Sequence, residues 1–227
     1  MILSGRPVHP GVAVGATRLL TSHDLIDLHH SERHAQSDQE LKEIFRSPAF
    51  RVHALSDLAG TPEGGENQRS IIEVTFWSAV NDILESRGSG IVFAVASVIS
   101  RYLRSAIFSL DPKSQEEFRC LSEFGKSVLS GLVKFRKTKY STSPSYIVLA
   151  VSLDLPEAVS LEPRIVGYAV GSSIDPKLRI AAELLEVPAV AGIKGVEEHA
   201  LLFRFARLDG GKGTLEAVPP GSVTGNG

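Results

Sequence analysis

The sequence has one cysteine, Cys120, one tryptophan, Trp77, and a formal net charge of −2 over 227 residues. A single cysteine excludes an internal disulfide and is what a chain kept in a reducing cytosol is expected to show. Near-neutrality removes any global electrostatic case for a nucleic-acid or membrane partner. Long apolar runs are missing too. The longest, Gly90 to Ile99, gives way to Arg101 and Arg104; it is too short to span a bilayer and is expected to be a buried helix. The opening MILSGRPVHP has neither the basic nor the apolar region of a signal peptide. A soluble, cytoplasmic protein is expected. One further absence is local: no histidine lies between Gly171 and Gly192.

What is present is an ordinary globular share of hydrophobic residues, 43%, distributed in three textures. Residues 1 to 20 alternate apolar and small side chains around Pro10-Gly11, with Val12, Val14 and Leu19 suited to strands. Residues 24 to 139 read as helical. Asp38 to Phe45 predicts a polar helix, Thr61 to Asn67 a loop, and Ser70 to Glu85 a helix with Ile72, Phe76, Ala79, Val80 and Ile83 on one face. Gly90 to Arg104 and Ser114 to Lys134 predict two more helices, and Phe76, Trp77 and Phe93 fall at core positions.

From Ser145 the strand texture returns, in Tyr146 to Val151, Arg164 to Val170, Ala189 to Ile193 and Leu201 to Leu208. Gly210, Gly211 and Gly213 mark a hairpin into Thr214 to Val218. The economical fold class is α/β: a discontinuous domain of residues 1–20 and 145–220, interrupted by an all-helical insert over 21–140 and followed by a mobile tail, 221–227.

The densest signal lies at 171–192. Gly171, Ser172 and Ser173 leave a strand, Asp175 is a good N-cap, and Pro176 suits the first helical position. Leu178, Ala181, Ala182 and Leu185 then share one face, and Pro188 ends the helix. A helix N-terminus has unpaired N–H groups and the positive dipole end, which suits an anion. Lys177 and Arg179 in the first turn oppose that dipole. Either an anion sits between them or they extend into water. Gly171, Ser172, Ser173, Lys177 and Arg179 are therefore the anion-binding candidates.

Several segments resemble the N-terminal half of Enzyme I of the phosphoenolpyruvate-dependent sugar phosphotransferase system. They are GRPVHPGVAVGATRLL with its His-Pro-Gly turn, FRCLSEFGKSVLSGLV, YIVLAVSLDLPEAVSLEPRIVGYAV and LLEVPAVAGI, covering 1–20 and 116–218 in the family's order. The resemblance implies a swivelling phosphohistidine domain interrupted by a helical domain that docks the phosphocarrier protein HPr. It also implies a Gly-Gly-Arg-Thr-Ser-His segment ahead of the helix expected over Lys177 to Glu186, and counting back from Leu-Glu-Val-Pro puts Lys177 at the histidine position. The family's phosphoenolpyruvate- and magnesium-binding barrel has no counterpart in this sequence. Imidazole offers a lone pair near neutral pH and forms a phosphoramidate able to pass on its phosphoryl group. An ammonium offers none. No catalytic residue, cofactor or metal is therefore expected. The expected role is protein binding by a monomer, through the helical insert, to an HPr-like component. The alternative is a phosphoryl carrier that uses another acceptor and a barrel on a separate chain.

His199 and His9 are the relocated-acceptor candidates, against the ordinary reading as surface histidines. His30 and His34 have the i, i+4 spacing of a ligand pair beside His29, Asp24 and Asp27, but nothing completes a tetrahedral set. A solvated connection is expected there. Lys134, Arg136, Lys137 and Lys139 form a basic run expected to be a linker leaving the insert.

Overall fold

The computed structural model describes residues 1–21, 66–87, 90–139, 145–161, 165–172 and 176–220. The expected 38–45 helix, the histidines at 29, 30 and 34, Ser173, Asp175 and the 221–227 tail lie outside the described residues. The chain divides into two compact units, Met1–Asp27 with Arg136–Gly227, and Leu28–Phe135. The class is the one the texture indicates: an α/β unit whose sequence is interrupted by a helical one.

The α/β unit holds one eight-stranded sheet. In chain order the strands are β1 (Ile2–Ser4), β2 (Arg6–His9), β3 (Val12–Leu20), β4 (Tyr146–Ala150), β5 (Ile165–Val170), β6 (Ala189–Ala191), β7 (Phe205–Asp209) and β8 (Thr214–Ala217). Their spatial order is β1-β8-β7-β3-β4-β5-β6-β2. Strands β3 to β6 are parallel, and the pairs β3–β7, β7–β8, β1–β8 and β2–β6 are antiparallel.

Strands buried on both faces read as continuous apolar runs, which explains YIVLA and IVGYAV. Ile147, Leu149, Ala169 and Val190 join Phe203, Ala206, Leu208 and Leu215 in one core cluster. The alternate positions Val148 and Tyr168 are fully buried as well. The Tyr168 hydroxyl donates to the Ala158 carbonyl, 2.8 Å, in the short helix Leu155–Ser160 that links β4 to β5. Burial drives the phenol pKa well above its ordinary value.

Only Gly5 separates β1 from β2, yet those strands stand at opposite ends of the strand order. Residues 2–9 therefore close the sheet by pairing with β8 and then switching to β6. Gly5 makes the switch. Its N–H donates to the Gly213 carbonyl at 2.8 Å, and a Cβ there would lie 2.5 Å from the Ala191 carbonyl oxygen.

The helical unit contributes α1 (Glu66–Arg87), α2 (Ile91–Phe108) and α3 (Pro112–Lys139), the last running on into the α/β unit's span. Phe76 is fully buried, edge-on to Phe124 at 5.2 Å and to Trp77 at 5.6 Å. The apolar run at 90–99 is buried, as its pattern predicts, and Val92 to Ala96, Val98, Ile99 and Tyr102 form the inner face of α2. This helix is long and apolar enough to cross a membrane by composition, but half of it is buried inside the fold. Asp111 starts α3, accepting from the Ser114 N–H at 2.9 Å and the Ser114 hydroxyl at 2.6 Å.

Some expectations are corrected. The 61–67 loop gives way to helix at Glu66. The basic run from Lys134 to Lys139 is the end of α3, not a linker. Lys and Arg are good helix formers, no Pro or Gly interrupts them, and cations suit the negative end of the helix dipole. Leu201 and Leu202 are not strand but an exposed 3-10 turn, Ala200–Phe203. Phe203 is buried beneath that turn, and the Thr17 hydroxyl and N–H hold the Phe203 and Arg204 carbonyls, so β7 starts only at Phe205.

Candidate functional site

Parallel strands deliver their carboxyl ends to one side of a sheet, and there the loops after β4, β5 and β6 meet. The chain leaves β4 through Val151 and reaches Asp154, which caps the helix Leu155–Ser160, from here α4. Asp154 Oδ1 accepts the Leu155 N–H at 2.7 Å, and the Glu157 carboxylate accepts the Asp154 N–H at 2.8 Å, a reciprocal capping box. The chain leaves β5 through Gly171 and Ser172, and α5 (Pro176–Leu185) opens on a proline that needs no N–H partner.

Lys177 joins the two loops. Its ammonium lies 2.9 Å from Asp154 Oδ1, with the Lys177 side chain 16% exposed and Asp154 40%. The lysine expected in water is instead tucked against the α4 cap. Its charge sits against the α5 dipole because a carboxylate compensates it. Arg179 does extend into water, 67% exposed and bonded to Glu183 one turn on at 2.7 Å. The two basic residues of the first turn therefore do not converge on one point.

Of the other anion-binding candidates, Gly171 and Ser172 are committed to the sheet. The Gly171 N–H donates to the Ala150 carbonyl at 2.9 Å and the Ser172 N–H to the Val151 carbonyl at 2.6 Å, extending the β4–β5 ladder past its last paired strand residues. The Ser172 carbonyl accepts the Gly192 N–H at 2.6 Å, tying this loop to the exit of β6.

His9 stands elsewhere. It pairs with Ala189 at the start of β6, and its Nδ1 donates to the Val187 carbonyl at 2.9 Å. Three residues along that strand, about 10 Å, separate it from the Ser172–Gly192 contact. His199 follows β6 in the turn whose Val196 packs close to Gly171. Its Nδ1 donates to the Gly195 carbonyl at 2.9 Å. A ring that donates through Nδ1 keeps its lone pair on Nε2. Each imidazole is thus anchored through Nδ1 to a backbone carbonyl, that of Val187 for His9 and that of Gly195 for His199. Among the described residues no group of three or more His, Cys, Asp or Glu side chains could hold a metal ion.

Asp154 escaped sequence reasoning because the Asp-Leu-Pro-Glu segment reads as a turn between strands. The signal was there: Asp154 and Glu157 have capping-box spacing ahead of apolar Ala158 and Val159. Its union with a lysine 23 residues away is tertiary, and no local pattern encodes it.

No protein-family model and no curated protein matches the chain. Among solved structures it is similar to an N-terminal domain of Enzyme 1 – Nitrogen, at 19% identity and a TM-score of 0.46, covering 94% of this chain and 92% of the other. It is also similar to an Enzyme I (nEIt) structure solved by NMR in solution, at 16% identity and a TM-score of 0.39, covering 96% and 94% respectively.

Proposed function

We propose that this chain is an Enzyme I-like N-terminal module of the phosphotransferase system that has given up histidine phosphotransfer and works by binding a protein. It acts as a soluble cytosolic monomer, with the helical insert as its docking element and an HPr-like phosphocarrier as its partner. The observation that carries the reading is the Lys177–Asp154 ion pair. Where the sequence resemblance calls for a phosphoryl acceptor, the chain has an ammonium with no lone pair to attack phosphorus, already matched by a carboxylate. Support for docking comes from the α2–α3 turn, where Ile107, Phe108 and Leu110 are 72%, 75% and 98% exposed. Contiguous exposed apolar side chains mark interaction surfaces.

A second reading rests on His199. Its Nδ1 donates to the Gly195 carbonyl, and in the neutral ring that leaves the Nε2 lone pair available to attack phosphorus. The test is incubation of the purified chain with labelled phosphoenolpyruvate, magnesium, HPr and a complete Enzyme I. The proposal expects no acid-labile, base-stable label on this chain, together with measurable binding to HPr. Label lost on His199→Ala or His9→Ala would establish the carrier instead. Neither label nor binding would reject both.

A further inference from the structure

Residues 2–9 differ from every other strand of the sheet in how they are held. None of them is fully buried: Ile2, Ser4, Arg6 and Pro7 are exposed and Leu3, Val8 and His9 only part-buried. By contrast β3 and β4, in the middle of the sheet, include Ala13, Leu20, Ile147 and Leu149, all buried. The segment is paired on one side only in each half, Ile2–Ser4 with Thr214–Glu216, then Arg6–His9 with Ala189–Ala191, and Leu3 is its one side chain packed against the core cluster. A strand with little buried apolar surface opens at low free energy, ahead of the core. A pivot stands at its end. Gly11 has φ +123°, a conformation a side chain rarely adopts, and its carbonyl accepts the Gly210 N–H at 2.8 Å, fixing the chain from that point on.

We infer that residues 2–9 form a strap that opens as a unit about Pro10-Gly11 and can be exchanged for the same strap of a second copy. The sequence requirement at the closing point selects the occupant. An incoming strand must cross from β8 to β6 with no side chain at the position of Gly5, where a Cβ would meet Ala191 O at 2.5 Å and Ile193 Cγ1 at 2.8 Å. It must also place His9 against the Val187 carbonyl. Another copy's residues 2–9 satisfy both requirements identically. A closed strap and an exchanged one make the same contacts, so concentration decides between them, as in domain swapping. Opening uncovers two edges together, β8 and β6, and an uncovered edge is a template for strand addition. Because β6 leads directly to the Ser172–Gly192 contact, the strap also steadies the loop that carries the candidate site.

The test uses full-length chain in a Cys120→Ser background. One batch carries Ser4→Cys and the other Thr214→Cys, residues that face each other in the β1–β8 register. Mixed at high concentration, warmed below the melting transition, cooled and oxidised, the two batches should give a disulfide-linked heterodimer. Ser4→Cys mixed with Glu216→Cys, which is out of register, should give far less. Hydrogen exchange on the unmodified chain should show amides 2–9 opening at least tenfold faster than those of Ile147 to Leu149. Gly5→Val should speed exchange in β1, β2, β6 and β8 while the β4 amides stay protected. Equal cross-linking of in-register and off-register pairs would overturn the inference. So would strap amides as slow as those of β4.

Discussion

Replacing Lys177 with methionine removes the ammonium from Asp154 while keeping an unbranched apolar stem. Exposed pairs contribute up to about 1 kcal/mol, whereas breaking a buried pair costs about 3–5 kcal/mol. With side chains 16% and 40% exposed, this pair falls between those limits. Asp154 also keeps the Leu155 N–H as a partner and some access to water. A loss of about 1–2 kcal/mol follows, a factor of about 5–30 in the opening equilibrium. Asp154→Ala should cost about 1 kcal/mol more, because it also removes the α4 cap. In the double variant the losses should fall short of additivity by about 1 kcal/mol, since the shared contact disappears only once.

Two units make one global melting curve ambiguous, so the assay is hydrogen exchange at the β4 and β5 amides. Trp77, the single tryptophan, lies in the helical unit and supplies the control. Its fluorescence transition should stay in place in all three variants. Additive losses, or a change in β4–β5 protection below about twofold for Lys177→Met, would refute the assignment of this pair as the tie between α4 and α5.

Further outcomes follow from single groups. Tyr168→Phe should destabilise the α/β unit by about 1–3 kcal/mol in denaturant, because the Ala158 carbonyl loses its buried donor. Asp111 is held below the usual carboxylate range, first by the Ser114 hydroxyl and then by the Ser114 N–H. Its support for the α3 start is therefore present above the unfolded aspartate pKa and is lost as pH falls through the lower folded value. The Ser114 amide shift, followed by NMR from pH 6 down, should move with that titration. The Cys120 thiol is pushed up by burial and then by the Glu116 carboxylate. Alkylation by iodoacetamide at about pH 8 should run slower than for a free cysteine, and Glu116→Gln should speed it.

Patterns local in sequence proved readable, and those that depend on distant partners did not. The 3.6-residue spacing of Phe76, Ala79, Val80 and Ile83 and the apolar runs at 146–150 and 165–170 specify their elements because burial imposes those periods. Pro176 opens α5 for a reason visible in the chain. Leu201 and Leu202 mislead, since a β-like apolar run carries no sign that Thr17 will seize the next carbonyls. Sheet closure by residues 2–9 is equally silent, because Gly5 looks like any turn glycine until β6 and β8 approach it from two sides. At the site, Lys177 is legible as a first-turn cation, while its environment depends on Asp154, a tertiary partner that no local pattern names.

We propose that the carboxyl end of this sheet holds an ion pair at the position where the sequence resemblance implies a phosphoryl acceptor. The most direct measurement is intact-mass and acid-lability analysis of the purified chain after incubation with phosphoenolpyruvate, magnesium, HPr and complete Enzyme I. An unmodified chain that still binds HPr is the predicted result. A stoichiometric phosphoryl adduct, stable to base, labile to acid and abolished by His199→Ala, would contradict it.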